Sequence, residues 1–304
     1  MTALSEGGAA RAALALSPEV ASGTATRRRP ARFEIRLLGR EHEVASSVHY
    51  RRAAIGACAV ETAICAGGRG AAGKPNEDAL LVVPPDALGE PALVVVADGH
   101  FGADAAELAV AAVGRAWADA SPEVREDSAE GLLRLVRTAQ ATIAEAGTKG
   151  ETTLLLAAIH NGTTLRWASV GDSYLYRLPP GRGGRRANRL DRVWLGPCLT
   201  VPVHEVTRRG RFDLPPGTRV LLTTDGIPEA IRNVPTLGAR QIRGALDGGG
   251  DQPLDALVRT ALDRGGEDNI AAVLVTVAGE GCAASSKPPR WARWGTVWRA
   301  LRRG

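Results

Sequence analysis

The sequence predicts an α+β fold, in which helices and strands are grouped rather than strictly alternating. Three observations lead there. Short apolar, β-branched runs end abruptly at turn residues, as Leu93–Ala97 does at Asp98-Gly99 and Val220–Thr224 at Asp225-Gly226. Two Ala- and Leu-rich segments with charges on one side, 103–118 and 129–146, follow one another directly and read as helices. Beyond them, 152–160 and 163–170 flank Asn161-Gly162, a favoured tight-turn pair, and read as a hairpin.

Taken in order, residues 1–30 are rich in Ala, Gly, Ser and Arg without a sustained period and read as a flexible arm. Phe33, Ile35 and Leu37 alternate with polar residues, as in a half-buried strand. Ile55–Ile64 and Ala79–Val83 read as further strands, and Tyr174–Leu178 continues the hairpin style. The stretch 179–189, rich in Gly, Arg and Pro, reads as an exposed loop. Short helices are expected between Gln241 and Arg264, and Ile270–Val277 is the last strand. Residues 280–289 read as a linker, and 290–304 as a separate basic tail.

Composition narrows the function classes. With 304 residues, 44% hydrophobic and 23% charged, the chain reads as a globular protein with room for one large core or two modest ones. The net charge of +5 is concentrated near the ends, in Arg27–Arg29 and after Lys287, so it describes the tails more than the folded part. Zinc-finger spacing and nucleic-acid motifs are missing, and no nucleic acid partner is expected. Cys58, Cys65, Cys198 and Cys282 have neither zinc-site nor disulfide-framework spacing and read as free thiols. No signal peptide or membrane-length apolar run is present in the sequence, so a cytoplasmic protein is expected.

The acids at strand ends carry the chemistry. Asp98 and Asp225 each close an apolar run, Asp268 directly precedes one, and Asn76-Glu77-Asp78 leads into another. A single Asp-Gly is usually only a turn. Four acids at strand ends share one sheet edge or cleft, where their mutual repulsion calls for cations. Hard oxygen donors of this kind suit Mg²⁺ or Mn²⁺, and paired ions of that type serve displacement at phosphorus.

These pieces, in their order, resemble the metal-dependent (type 2C) protein serine/threonine phosphatase family in its compact bacterial form. The resemblance rests on Asn76-Glu77-Asp78-Ala79, Val95-Val96-Ala97-Asp98-Gly99-His100-Phe101-Gly102, Thr152-Thr153-Leu154, Val170-Gly171-Asp172-Ser173, Leu221-Leu222-Thr223-Thr224-Asp225-Gly226 and Glu267-Asp268-Asn269-Ile270. It implies a phosphatase domain at 31–279, built as a four-layer α-β-β-α sandwich of two antiparallel sheets. It also implies hydrolysis of phosphoserine and phosphothreonine in protein substrates by a metal-activated water. Asp98 would bridge two ions, the Gly99 carbonyl and Glu77 would serve one, and Asp225 and Asp268 the other. Asp78 would orient the waters around them. His100 matches the position proposed for the acid that protonates the leaving group; the rival role is a hydrogen-bonding residue without proton transfer. Asp172 and Glu229 fall where the family can hold a third, weaker ion. For Asp172 the plainer reading is a turn acid, and for Glu229 a helix-start acid.

The pattern also departs from the family. The Arg that grips substrate phosphate four residues before the metal-binding Glu is Gly73 here, with Lys74 beside it and Arg69 upstream as the candidate replacements. Lys supplies charge without the planar two-point grip of Arg. Glu151 replaces the Gly before Thr152-Thr153, and Tyr174 the Arg after Ser173. A non-enzymatic relative that binds phosphoproteins is therefore the first rival reading. In the tail, Trp291, Trp294, Trp298 and Leu301 would share one face of a helix, with Arg on the other. Such a helix suits an anionic membrane surface or a partner's groove, which makes a membrane-peripheral adaptor the second rival. Equally, the Trp face could dock on the chain's own core.

Overall fold

The computed structural model describes residues 34–279, except 69–72, 74, 88, 127, 182 and 230–233. Arg69, Lys74, the arm at 1–30, the linker at 280–289 and the tail at 290–304 lie outside the described residues.

Two six-stranded antiparallel sheets make the frame. The first runs β1 (Ile35–Leu38), β4 (Ala79–Val83), β5 (Ala92–Ala97), β8 (Leu154–His160), β9 (Thr164–Val170) and β12 (Arg208–Asp213). The second runs β11 (Arg185–Arg186), β10 (Tyr174–Leu178), β13 (Arg219–Thr223), β14 (Ile270–Val277), β3 (Cys58–Cys65) and β2 (Val48–Ile55). A two-stranded ribbon, β6 (Gly99–His100) with β7 (Glu151–Thr152), stands apart from both.

Side-chain alternation sorts the core into three layers. Along β4, Leu80 and Val82 enter the cluster between the sheets, where they join Val220, Leu222, Val273 and Val275 of the second sheet. Their neighbours Ala79, Leu81 and Val83 point the other way, against α1 (Asp104–Asp119) and α3 (Ser128–Ala146). On the far side of the second sheet, Ala63, Leu221, Ala272 and Leu274 pack on α5 (Ala239–Gly248) and α6 (Pro253–Asp263). Strands buried on both faces become continuous apolar runs, which is why β5 and β14 read so clearly. The resulting order is helices, sheet, sheet, helices, the four-layer sandwich that the resemblance implied. Two short helices, α2 (Pro122–Glu126) and α4 (Val203–Val206), and a single 3₁₀ turn at Gly39–Glu41 complete the described elements.

The structure corrects the sequence reading in four places. The expected strand 152–160 is divided, with Thr152 in β7 of the ribbon and β8 beginning at Leu154. Ile55–Ile64 is not one strand: Gly56, with φ +55°, and Ala57 turn the chain between β2 and β3. The loop at 179–189 contains β11, paired to β10 through Tyr176 and Arg186. β12, an edge strand of Arg, Gly and Phe paired to β9, escaped the reading because it shows no apolar run. The Asn161-Gly162 hairpin forms as expected, both residues having positive φ.

Candidate functional site

Antiparallel pairing brings the acid-bearing ends together. Ala97 at the end of β5 faces Ala79 at the start of β4, and Thr223 at the end of β13 faces Ala272 near the start of β14. Asp98, Glu77, Asp225 and Asp268 therefore emerge at one end of the sandwich. They line a single cavity of about 610 Å³, together with Pro75, Gly99, His100, Phe101, Glu151, Asp172, Arg192, Trp194 and Asn269.

Polar side chains lock this end of the two sheets together. Thr224, after β13, donates its hydroxyl to Asp78 Oδ2 at 2.8 Å and accepts the Ala271 N–H at 2.9 Å. Asn269 accepts the Glu77 N–H at 3.0 Å and donates Nδ2 to the Ala66 carbonyl at 3.0 Å. Its own N–H donates to Asp268 Oδ1 at 3.0 Å. Asn76 accepts the Asp78 N–H and donates to the His42 carbonyl. The Asp98 backbone is held from Thr152 and Thr153: its N–H donates to Thr153 Oγ1, and its carbonyl accepts from Thr152 Oγ1 and the Thr153 N–H, each at 2.9 Å. Thr153 in turn shares a hydrogen bond with Ser173, beside Asp172.

Two Asp-Gly glycines permit the close approach. A Cβ on Gly99 would sit 2.5 Å from the Glu77 carbonyl oxygen, and one on Gly226 would sit 1.9 Å from that of Asn269. Any larger residue would push Asp98 away from Glu77, or Asp225 away from Asp268. The turn after His100 carries φ +64° at Phe101 and +117° at Gly102, and aims the Gly102 N–H at the Glu77 carboxylate.

Burial, and after it the neighbouring carboxylates, push the Asp98 and Asp225 carboxyls well above their ordinary range. Asp78 lies beneath the cavity rather than on its wall, 1% exposed, and burial raises it too, while the Thr224 hydroxyl opposes the rise. Its Oδ1 is buried without a hydrogen-bond partner among the described residues. Half-buried, mutually repelling carboxylates beside a buried one with an orphaned oxygen are the setting that hard divalent cations stabilise. Among the described residues, no three His, Cys, Asp or Glu side chains close on one point as a ready-made cage. Mg²⁺ keeps several waters and needs only one or two carboxylates, so an open donor set spread over a water-accessible cavity fits Mg²⁺ or Mn²⁺ with water completing the shell.

The remaining expected residues fall in distinct places. His100 lies in β6 with its ring 5.0 Å from that of Trp194, and its Nδ1 is buried without a hydrogen-bond partner among the described residues. Asp172 lines the cavity. Glu229 is not among the lining residues and instead accepts the Tyr174 hydroxyl at 2.6 Å. Burial and that carboxylate both raise the Tyr174 phenol. Sequence reasoning missed Arg192 and Trp194, which sit in irregular chain with no periodic or motif signal. It also passed over Thr224 and Asn269, whose clue was their place beside an acid in a strand-end motif.

Among curated proteins, none matches the chain in sequence. Solved structures share its fold. The catalytic domain of the serine/threonine protein phosphatase PstP, in complex with two manganese ions, is 22% identical with a TM-score of 0.52, over 76% of this chain and 97% of that one. Serine-threonine phosphatase 2C from Toxoplasma gondii is 15% identical with a TM-score of 0.56, over 76% and 99%. A C. elegans sex-determining protein is 18% identical with a TM-score of 0.58, over 72% of this chain and 65% of that chain, just under two thirds of its length. The family model described as Stage II sporulation protein E (SpoIIE) matches residues 90–278. That match spans more than half of the chain, from β5 through β14, and the chain belongs to the SpoIIE family, with the type 2C phosphatase fold.

Proposed function

We propose that the chain is a metal-dependent protein serine/threonine phosphatase that hydrolyses phosphoserine and phosphothreonine. The observation that carries this reading is the single cavity lined by Glu77, Asp98, Asp225 and Asp268, with His100 on the same wall. Mg²⁺ or Mn²⁺ ions, when bound, supply activation of a water and charge neutralisation at phosphorus. Asp98 holds the central position, fixed from both sides by Thr152 and Thr153. Asp225 and Asp268 act from the second sheet and Glu77 from the first. Gly99 lines the same cavity, and its carbonyl would be one further oxygen donor. Asp78 and Thr224 hold the arrangement from below. Asp172 is the best-placed donor for a third, weaker ion, and Glu229 would have to leave Tyr174 to join it.

His100 supplies the proton that the departing serine or threonine oxygen needs, since an alkoxide is a poor leaving group. The Trp194 ring lies 5.0 Å from its own, and Nδ1 is not tied up in a hydrogen bond among the described residues.

The test is hydrolysis of p-nitrophenyl phosphate and of a phosphothreonine peptide, with and without Mn²⁺, by the full chain and by Asp225→Asn. Turnover that requires Mn²⁺ and disappears in the variant supports the reading. A folded wild-type protein with no metal-dependent turnover sinks it, and retained phosphopeptide binding would then mark a recognition module.

A further inference from the structure

We propose that Arg192 is the residue that grips the substrate phosphate in the acid-lined cavity, an inference that rests on the phosphatase reading. A phosphate monoester is a dianion, and six carboxylates line the space it must enter: Glu77, Asp98, Glu151, Asp172, Asp225 and Asp268. Metal ions offset part of that charge but are themselves held by the acids, so a protein cation beside the incoming oxygens adds binding that the metals alone do not supply. Among the described lining residues, Arg192 is the one side chain with a permanent positive charge.

Arg192 is also free. Its neighbour Asp191 is engaged by Arg208 at 2.5 Å and Arg189 at 3.5 Å, whereas Arg192 has no ion pair or hydrogen bond among the described residues. An exposed guanidinium costs little desolvation while it waits, and its planar fork matches two phosphate oxygens at once.

The segment around it is held from both sides. The Asp191 N–H donates to the Gly171 carbonyl at 3.1 Å, next to Asp172. Leu195 exchanges two 2.8 Å backbone hydrogen bonds with Thr152, the residue that also holds Asp98. Gln140 of α3 clamps Gly196 through both its N–H and its carbonyl, each at 2.9 Å. Arg192 and Trp194 reach the cavity while Val193 between them does not. One short segment thus presents both the phosphate-gripping cation and the ring that packs on His100. Preorganisation of this kind makes a loop residue a reliable binding group.

The test measures inorganic phosphate binding by calorimetry in the presence of Mn²⁺, together with steady-state kinetics on a phosphothreonine peptide. Arg192→Ala is expected to weaken phosphate binding and raise KM by about tenfold or more, as for a lost charge-assisted hydrogen bond, with Arg192→Lys in between. Mn²⁺ binding and the Tm stay at wild-type values, since Arg192 supports neither the metal site nor the core. Lys74→Ala and Arg69→Ala are expected to leave phosphate binding nearly unchanged.

The proposal is overturned if Arg192→Ala binds phosphate within about twofold of wild type. It is equally overturned if Lys74→Ala or Arg69→Ala causes the larger loss, or if the wild type binds no phosphate. Arg192-dependent phosphate binding without turnover would sink the phosphatase reading and leave this one standing. Turnover with Arg192-independent phosphate binding would do the reverse.

Discussion

Gly226→Ala separates the proposed metal site from the general stability of the sandwich. Gly226 is not in the left-handed region, so the obstacle to a side chain there is purely steric. The added Cβ would lie 1.9 Å from the Asn269 carbonyl oxygen and 2.9 Å from Ile270 Cγ1. Ordinary van der Waals contact requires the two backbones to part by roughly 1 Å or more. Asn269 cannot move alone, because it is bonded to Glu77, Asp268 and Ala66. The substitution therefore shifts Asp268 and Glu77 away from Asp225. A misplacement of about 1 Å costs on the order of 100-fold in turnover, while overpacking costs about 1–3 kcal/mol of stability. Mn²⁺ at about 100 times its Kd stabilises the wild type by about 2.7 kcal/mol, and a 100-fold weaker site would retain only about 0.4 kcal/mol. For a domain of this size the wild-type gain is roughly 5–10 °C in Tm. Thermal scans with and without Mn²⁺, beside p-nitrophenyl phosphate turnover, read both effects. As a control, Gly244→Ala, in α5 with open space around it, should stabilise by about 0.5–1 kcal/mol and leave turnover alone. Wild-type turnover and a wild-type Mn²⁺ shift in Gly226→Ala would refute the claim that close approach of these turns builds the site.

Three further tests follow. The Asp78, Asp98 and Asp225 carboxyls stand well above their ordinary range because of burial first and neighbouring carboxylates after it. The folded protein then binds protons more tightly than the unfolded chain. Metal-free protein in EDTA should therefore gain stability as the pH falls from neutrality towards the unfolded carboxylate range of about 4, and saturating Mn²⁺ should flatten that slope; a metal-free Tm that rises with pH would contradict it. A chain ending at Gly279 should keep its Mn²⁺-dependent turnover, because every lining residue falls between Pro75 and Asn269. Equal flotation of that chain and the full-length protein with anionic liposomes would count against a membrane role for residues 290–304.

What could be read in the sequence was what is local. Strands buried on both faces show as unbroken apolar runs, and the acids that end them stand out by contrast, so β5 with Asp98 and β13 with Asp225 were plain. Ile55–Ile64 misled because its apolar character continues through Gly56-Ala57, and only strand pairing shows the turn. β12 escaped because an edge strand with charged residues needs no apolar face. The assembly of the site is non-local: the Thr224–Asp78 bond spans 146 residues and the Glu77–Asn269 bond 192. No window along the chain contains either pair. Yet Thr224 adjoins Asp225, and Asn269 adjoins Asp268, so each motif carries its donor together with the polar residue that ties it across the sheets. Arg192 has no such companion. Its position is set by Gly171, Thr152 and Gln140, three separate segments, so no local motif could announce the phosphate grip proposed for it.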